Sequence, residues 1–303
     1  MKDPADLKER MERDTARLML IPDGAHFVSD VIRRPGNPRQ VGMIDAIWAS
    51  KGRPDRRKVI LYFHGGAYLA GSSRTHRHLG AALAGAAGVR AVLPDYRLAP
   101  EHQFPAAVDD AIASYRHLLE AGYDASEIAL GGDSAGGGLC FALLYAIQKR
   151  KLPKPAAVAA FSPWADLTGE AASLERNANR DVMLPVRRLD EVAEYYLGSA
   201  DRRHPLASPV FAKWEAPPPA LIMASRSEAI MDDSVALAEG LRAAGGDVQL
   251  ELWRGLPHAW PIFVGRLGEA DRAVANAGAF LSRHLKTGDD AETMVNAETD
   301  SGS

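Results

Sequence analysis

The chain is poor in cysteine, in long apolar runs and in net charge, and each shortage narrows its class. One cysteine in 303 residues rules out an internal disulfide. Cys140 is expected as a small core residue, and its solitude is compatible with a reducing cytoplasm. No stretch approaches the ~20 apolar residues of a membrane-spanning helix. The opening residues, Met1 to Arg10, are too charged for the apolar core of a signal peptide. A soluble, cytoplasmic protein without a membrane span is therefore expected. The formal net charge is −3, and the basic residues are scattered. Arg56-Arg57-Lys58 and Lys149-Arg150-Lys151 read as solvated element ends, so nucleic acid is not an expected partner. No internal repeat is apparent. Residues 286–303 are polar and acidic and lack periodicity, which predicts a disordered tail.

What the chain does contain is 47% hydrophobic residues, ample for a substantial core, and an alternation of strand and helix patterns. Ala25–Ile32 and Gln40–Ala49 read as an opening hairpin-like pair. Further strands are expected at Lys58–Phe63, Val89–Leu93, Ile128–Gly131, Pro155–Phe161, Leu221–Ala224 and Val248–Trp253. Helical patterns cover Thr75–Ala87, Ala106–Ala121, Ser134–Lys149, Asp233–Ala244 and Glu269–Leu285. This order predicts a mostly parallel eight-stranded sheet with helices on both faces. Active residues are then expected at the carboxyl ends of the strands. Two segments fall outside the alternation: an N-terminal helix, about Pro4 to Leu20, and the stretch Asp166 to Trp214, with a helix at Val186–Leu197.

Gly132-Asp133-Ser134-Ala135-Gly136 sits between an apolar strand and a helix-forming run. The pattern G-x-S-x-G in strand–turn–helix context lifts a serine hydroxyl above the sheet edge, and small flanking residues avoid collisions there. Ser134 is thus a candidate nucleophile. Alone the motif is weak, because a serine in such a turn often only caps the helix. Upstream, His64-Gly65-Gly66-Ala67-Tyr68 follows a buried strand directly. Backbone N–H groups of Gly65, Gly66 and Ala67, with that of Ala135, could form an oxyanion hole. A plain glycine-rich βα turn is the alternative. Ala67 supplies an N–H, but the loop must then accommodate a Cβ.

The chain has nine histidines. His258, on the loop after the strand Val248–Trp253, is preferred as the base. His102 and His204 lie in proline-rich loops, and His76 and His78 are expected to face solvent from a helix. Glu228, Asp232 and Asp233 follow the strand ending at Ala224 and are the candidate acids. Helix capping and dipole stabilisation account for Asp232 or Asp233, and Glu228 has no such structural use. The order Ser134, Glu228, His258 is that of α/β-hydrolases.

With Asp95-Tyr96-Arg97-Leu98-Ala99-Pro100-Glu101, Phe104-Pro105-Ala106-Ala107 and His204-Pro205-Leu206-Ala207-Ser208-Pro209, these motifs resemble the bacterial hormone-sensitive-lipase family of esterases, over about residues 20 to 285. The resemblance implies an α/β-hydrolase fold, one domain over residues 1–285 with a helical cap from about 1–22 and 166–214. It implies a carboxylic ester hydrolase with Ser134 as nucleophile, His258 as base and Glu228 as acid. Many members carry aspartate at that acid position. The third glycine of the family's oxyanion motif is Ala67 here.

No metal or organic cofactor is expected. His64 is expected to brace the oxyanion loop and Asp133 to support it without touching substrate. Short- to medium-chain acyl esters are the expected substrates, with lactones, amides or carbamates as alternatives on the same site. A non-catalytic receptor on this fold, as in the gibberellin receptor, would be expected to have lost a triad member. Trp164, Tyr196 and Trp260 are candidate pocket residues, with core packing as the alternative for each. The edge strand Val248–Trp253 offers a surface for a homodimer, and a monomer is the alternative.

Overall fold

Apolar and small residues run almost without interruption along the central strands, so that both faces of the sheet need cover, and the computed structural model shows both faces covered. It describes residues 4–34 and 42–286. Among these, the strands are β1 (Ala25–Arg33), β2 (Met43–Lys51), β3 (Asp55–Phe63), β4 (Val89–Pro94), β5 (Ile128–Asp133), β6 (Ala157–Phe161), β7 (Ala220–Ser225) and β8 (Val248–Trp253). They form one sheet in the order β1-β2-β4-β3-β5-β6-β7-β8. β2 is antiparallel to both β1 and β4, and every pairing from β4 through β8 is parallel. The expected hairpin-like opening is present, with Ala25 opposite Lys51 and Arg33 opposite Met43. Residues 40 and 41 of its predicted second strand, and residues 287–303 of the predicted tail, lie outside the described residues.

The helices are α1 (Pro4–Leu18), α2 (Ser73–Ala87), α3 (Ala106–Glu120), α4 (Ala135–Arg150), α5 (Ala172–Arg176), α6 (Leu189–Leu197), α7 (Met231–Ala243) and α8 (Gly268–His284). Odd and even positions of the strands feed two cores. Ile60 and Tyr62 of β3 pack with Leu79 and Leu83 of α2 and with Phe280 and Leu281 of α8. Val59, Leu61 and Phe63 pack on the other face with Leu139 and Leu143 of α4, Ile112 of α3 and Leu237 of α7. Cys140 is fully buried in this second cluster.

α2 begins with a reciprocal cap: Ser72 N donates to Thr75 Oγ1 at 2.8 Å, and Thr75 N donates to Ser72 Oγ at 3.2 Å. The Ser72 hydroxyl donates in turn to Glu12 of α1 at 2.7 Å, which ties the N-terminal helix to the start of α2. His76 and His78 do not face solvent as expected. α2 is packed between the sheet and α8, and both rings are buried. Burial is tolerable because each ring finds a polar partner: His78 Nε2 lies 2.8 Å from Ile262 O, and His76 Nδ1 lies 2.8 Å from Thr75 Oγ1, with its Nε2 facing Asp133 Oδ2 at 3.4 Å.

The insertion between β6 and β7 holds α5 and α6. The helix expected over Val186–Leu197 starts as a short 3-10 turn, Val186–Arg188, before α6. The five-residue α5 is too short to leave a periodic signal in the sequence.

Candidate active site

β5 delivers the chain to Ser134, which holds φ 53° and ψ −122°. Such a backbone conformation costs a non-glycine residue about 1–3 kcal/mol and must be enforced by its surroundings. It is enforced here: Ser134 N donates to Phe161 O of β6 at 2.9 Å, and Ser134 O accepts from Trp164 N at 2.9 Å. The flanking glycines are required by space. A Cβ on Gly132 would sit 2.5 Å from Gly136 O, and one on Gly136 would sit 2.1 Å from Phe63 O and 2.5 Å from His64 O. The elbow is therefore packed flush on the end of β3 and the His64 loop.

Ser134 Oγ lies 2.8 Å from His258 Nε2, and His258 Nδ1 lies 2.8 Å from Glu228 Oε2. Glu228 is 1% exposed and His258 5%. A carboxylate can only accept, so it draws the ring proton to Nδ1 and leaves the Nε2 lone pair facing the serine hydroxyl. The other oxygen of Glu228 accepts from Ser225 N at 3.0 Å. Three side chains from the ends of β5, β7 and β8 thus converge, and Asp232 and Asp233 stay out of the line. Neither caps α7, whose cap position is Ile230. Asp232 accepts from Ser173 N at 2.8 Å and pairs with Arg176, and Asp233 Oδ2 accepts from Ala165 N and Asp166 N, both at 2.9 Å. Both carboxylates fasten the insertion instead. Burial pushes the Asp233 carboxyl well above the usual carboxylate range, opposed by those two N–H groups.

Two serines that the sequence does not single out hold the histidine loop. Ser225 Oγ donates to Leu256 O at 2.6 Å, and Ser162 Oγ accepts from Ala259 N at 3.1 Å. Ser225 is the last residue of β7, and Ser162 directly follows β6. Position at a carboxyl strand end is the one signal that could have marked them.

The His64 loop bends through Gly66 at φ 122°, where a Cβ would meet Ala70 O at 2.2 Å, and then through Ala67 at φ 58° and Tyr68 at φ 60°. Ala67 thus accepts the left-handed region despite its Cβ. The expected donor set needs one correction. Gly65 N does not point to a shared oxyanion position but donates to Asp133 Oδ1 at 3.1 Å. The N–H groups of Gly66, Ala67 and Ala135 donate to no protein acceptor among the described residues. Asp133 also accepts from Tyr62 OH at 2.7 Å and faces His76. Burial raises its carboxyl, and His76 with the hydrogen bonds outweighs this, so the group ends below its ordinary range. His64 stacks on Tyr96 at 4.2 Å, and its Nδ1 lies 2.8 Å from Gly65 O. Burial, then the neighbouring His76, pushes its pKa down to about 3. It is therefore a neutral brace for the loop at ordinary pH.

Of the three aromatic residues expected to line a pocket, two lie beside this loop. Tyr196 of α6 stacks on Tyr68 with centroids 3.9 Å apart, and Trp164 lies 6.2 Å from Tyr68. Trp260 does not join them. It is fully buried in the other core, against Trp253 at 5.5 Å, because the turn after His258 drives it under the sheet edge beside α8. Tyr68 takes its place in the aromatic group. A cleft of about 400 Å³ lined by Lys8, His64, Tyr96, Arg97 and Glu101 touches none of the three expected rings and lies off the serine. Among the described residues no three His, Cys, Asp or Glu side chains converge as metal ligands, and no helix is long and apolar enough to cross a membrane.

Comparison with known proteins agrees with the fold. Residues 60–262 match a family model described as the alpha/beta hydrolase fold. An acetyl-hydrolase of Streptomyces hygroscopicus is 44% identical over 247 residues, 82% of each chain. An ethyl acetate hydrolase of Pseudomonas putida is 33% identical, over 75% of this chain and 73% of the relative. The crystal structure of an esterase from the bacterial hormone-sensitive lipase family superposes with a TM-score of 0.88 at 39% identity, covering 94% of this chain and 93% of that one. The chain belongs to the α/β-hydrolase family, in its hormone-sensitive-lipase branch.

Proposed function

We propose that this carboxylic ester hydrolase cleaves short- to medium-chain acyl esters through Ser134, His258 and Glu228 by way of an acyl-enzyme. The observation that carries the reading is the unbroken relay from Ser134 Oγ to His258 Nε2 and from His258 Nδ1 to Glu228 Oε2, each step 2.8 Å. Ser134 Oγ attacks the ester carbonyl as its proton passes to His258 Nε2, and Glu228 stabilises the imidazolium. The carbonyl oxygen, now an oxyanion, accepts from the N–H groups of Gly66, Ala67 and Ala135, each such donor contributing about 3 kcal/mol to the transition state. Collapse expels the alkoxide, which takes the proton from His258. Water then attacks the acyl-serine as His258 receives its proton, and collapse releases the carboxylic acid and restores Ser134.

The tight stack of Tyr196 on Tyr68, with Trp164 beside it, supports a short acyl chain. So do the names of the acetyl-hydrolase and ethyl acetate hydrolase relatives. The insertion and α1 are read as a cap over this end of the sheet. β8 is an edge strand, and a second copy pairing there is the proposed dimer. Hydrolysis of p-nitrophenyl esters from acetyl to palmitoyl tests the whole reading. The expected result is highest kcat/KM at acetyl to hexanoyl and a loss of roughly 10⁴-fold or more in kcat on Ser134→Ala. Undiminished hydrolysis by Ser134→Ala refutes it.

A further inference from the structure

The loop that carries Glu228 is gripped from the insertion. The peptide unit joining Glu228 to Ala229 is held at both ends. Its carbonyl, Glu228 O, accepts from Asn177 Nδ2 at 2.9 Å, and its N–H, on Ala229, donates to Asp181 Oδ2 at 2.8 Å. The same Asn177 amide nitrogen also donates to Arg226 O at 3.1 Å. Its two donors are thus spent on the two carbonyls that bracket the approach to Glu228. Asn177 is 1% exposed, so these contacts are made inside the protein and not at its surface. Asp181 is fixed in turn by Met183 N and Leu184 N, which both donate to its Oδ1 at 2.9 Å. Its second oxygen is therefore aimed, not free to rotate.

We infer that Asn177 and Asp181 are positioning residues for the triad acid: the insertion sets the plane of the Glu228–Ala229 peptide and thereby the aim of the Glu228 carboxylate at His258. This rests on the proposed role of Glu228 and deepens it. The insertion between β6 and β7 is then part of the catalytic frame as well as a cover, and any displacement of the 177–181 segment is transmitted to the acid through two hydrogen bonds on one rigid peptide plane.

The test compares Asn177→Ala, Asp181→Asn and Arg176→Ala in the full chain. An asparagine at 181 has one accepting oxygen and cannot serve both Ala229 N and the Met183–Leu184 pair. Arg176 reaches Asp232 but not the clamped peptide. Two readouts are taken: kcat and KM for p-nitrophenyl acetate, and the far-downfield proton NMR resonance of the His258 Nδ1–H hydrogen-bonded to Glu228. Expected for Asn177→Ala and Asp181→Asn is a fall in kcat of roughly 10–100-fold with KM changed less than about twofold, and a displaced or lost resonance. Arg176→Ala is expected to keep both. If Asn177→Ala does not fold, Asp181→Asn, which keeps the side-chain shape, decides. The inference is overturned if folded variants keep kcat within about threefold of the parent with an unmoved resonance. Absence of ester hydrolysis by the parent chain would sink the proposed function instead, and the resonance would still judge the clamp.

Discussion

Gly136→Ala is the sharpest perturbation of the elbow that leaves Ser134, Glu228 and His258, the proposed triad, unsubstituted. The added methyl would stand 2.1 Å from Phe63 O and 2.5 Å from His64 O, both backbone atoms that cannot swing aside. Ordinary contact demands that the elbow and the His64 loop part by roughly 1 Å, a misplacement that costs about 10²-fold in rate. Overpacking adds a destabilisation of about 1–3 kcal/mol. The same substitution elsewhere provides the scale. At Gly137 the nearest atom is Pro163 Cα at 3.0 Å, and at Gly268, the first residue of α8, nothing lies within 4 Å. The expected order of loss in kcat/KM is Gly136→Ala first, Gly137→Ala second and Gly268→Ala none, read with p-nitrophenyl acetate. Thermal melts of the three proteins should follow the same order. Parent-like activity and melting temperature in Gly136→Ala would refute the claim that the elbow and the His64 loop are held in register by close backbone contact.

Other expectations follow from the same geometry. Glu228→Gln is expected to lower kcat by roughly 10²–10⁴-fold. Asp232→Asn, which weakens a half-exposed pair with Arg176, is expected to stay within about threefold, and the reverse ranking would move the acid. His64 and His78 are held neutral by burial, with pKa values pushed down to about 3 and about 4. An unfolded chain takes up those protons near pH ~6.5, so stability is full above that value and declines as pH falls through the window toward 4. Urea midpoints measured from about pH 7 to 4.5 should fall accordingly, less steeply in His78→Gln, and a flat profile would contradict the neutral assignment. Tyr196→Val removes the ring stacked on Tyr68 and is expected to raise the octanoyl-to-acetyl ratio of kcat/KM by roughly tenfold; an unchanged ratio would remove the stack from the acyl-binding account.

The parts of the site that a sequence can reveal are those tied to local backbone pattern. Gly132 and Gly136 around Ser134, and His64 to Ala67 directly after β3, mark strand ends by their own residue types. The β8–loop–helix order then singles out His258 from nine histidines. Elimination on the ground of helix capping prefers Glu228 over Asp232 and Asp233, but capping is not what occupies those two aspartates. The two aspartates are occupied by the insertion at Ala165, Asp166 and Ser173, contacts across more than 55 residues of chain that no local pattern encodes. The same limit explains the misplacements. His76 and His78 look like the polar face of α2 until His64 and Asp133 meet the first ring and Ile262 the second, and Gly278 of α8 packs so close to α2 that a Cβ there would meet Ala86 Cβ at 2.3 Å. Trp260 is two residues from His258 yet turns into the opposite core, because the left-handed Ala259 (φ 50°) reverses the chain between them. Gly65 was legible as a loop glycine, but its N–H partner, Asp133, lies 68 residues away.

The most direct measurement is intact-protein and peptide mass spectrometry of the chain quenched during turnover of a slow acyl ester, or after reaction with an organophosphonate ester. The account predicts one acyl or phosphonyl group per chain, located on the peptide containing Ser134 and absent from Ser134→Ala. An adduct on another residue, or turnover that persists without any adduct in Ser134→Ala, would contradict it.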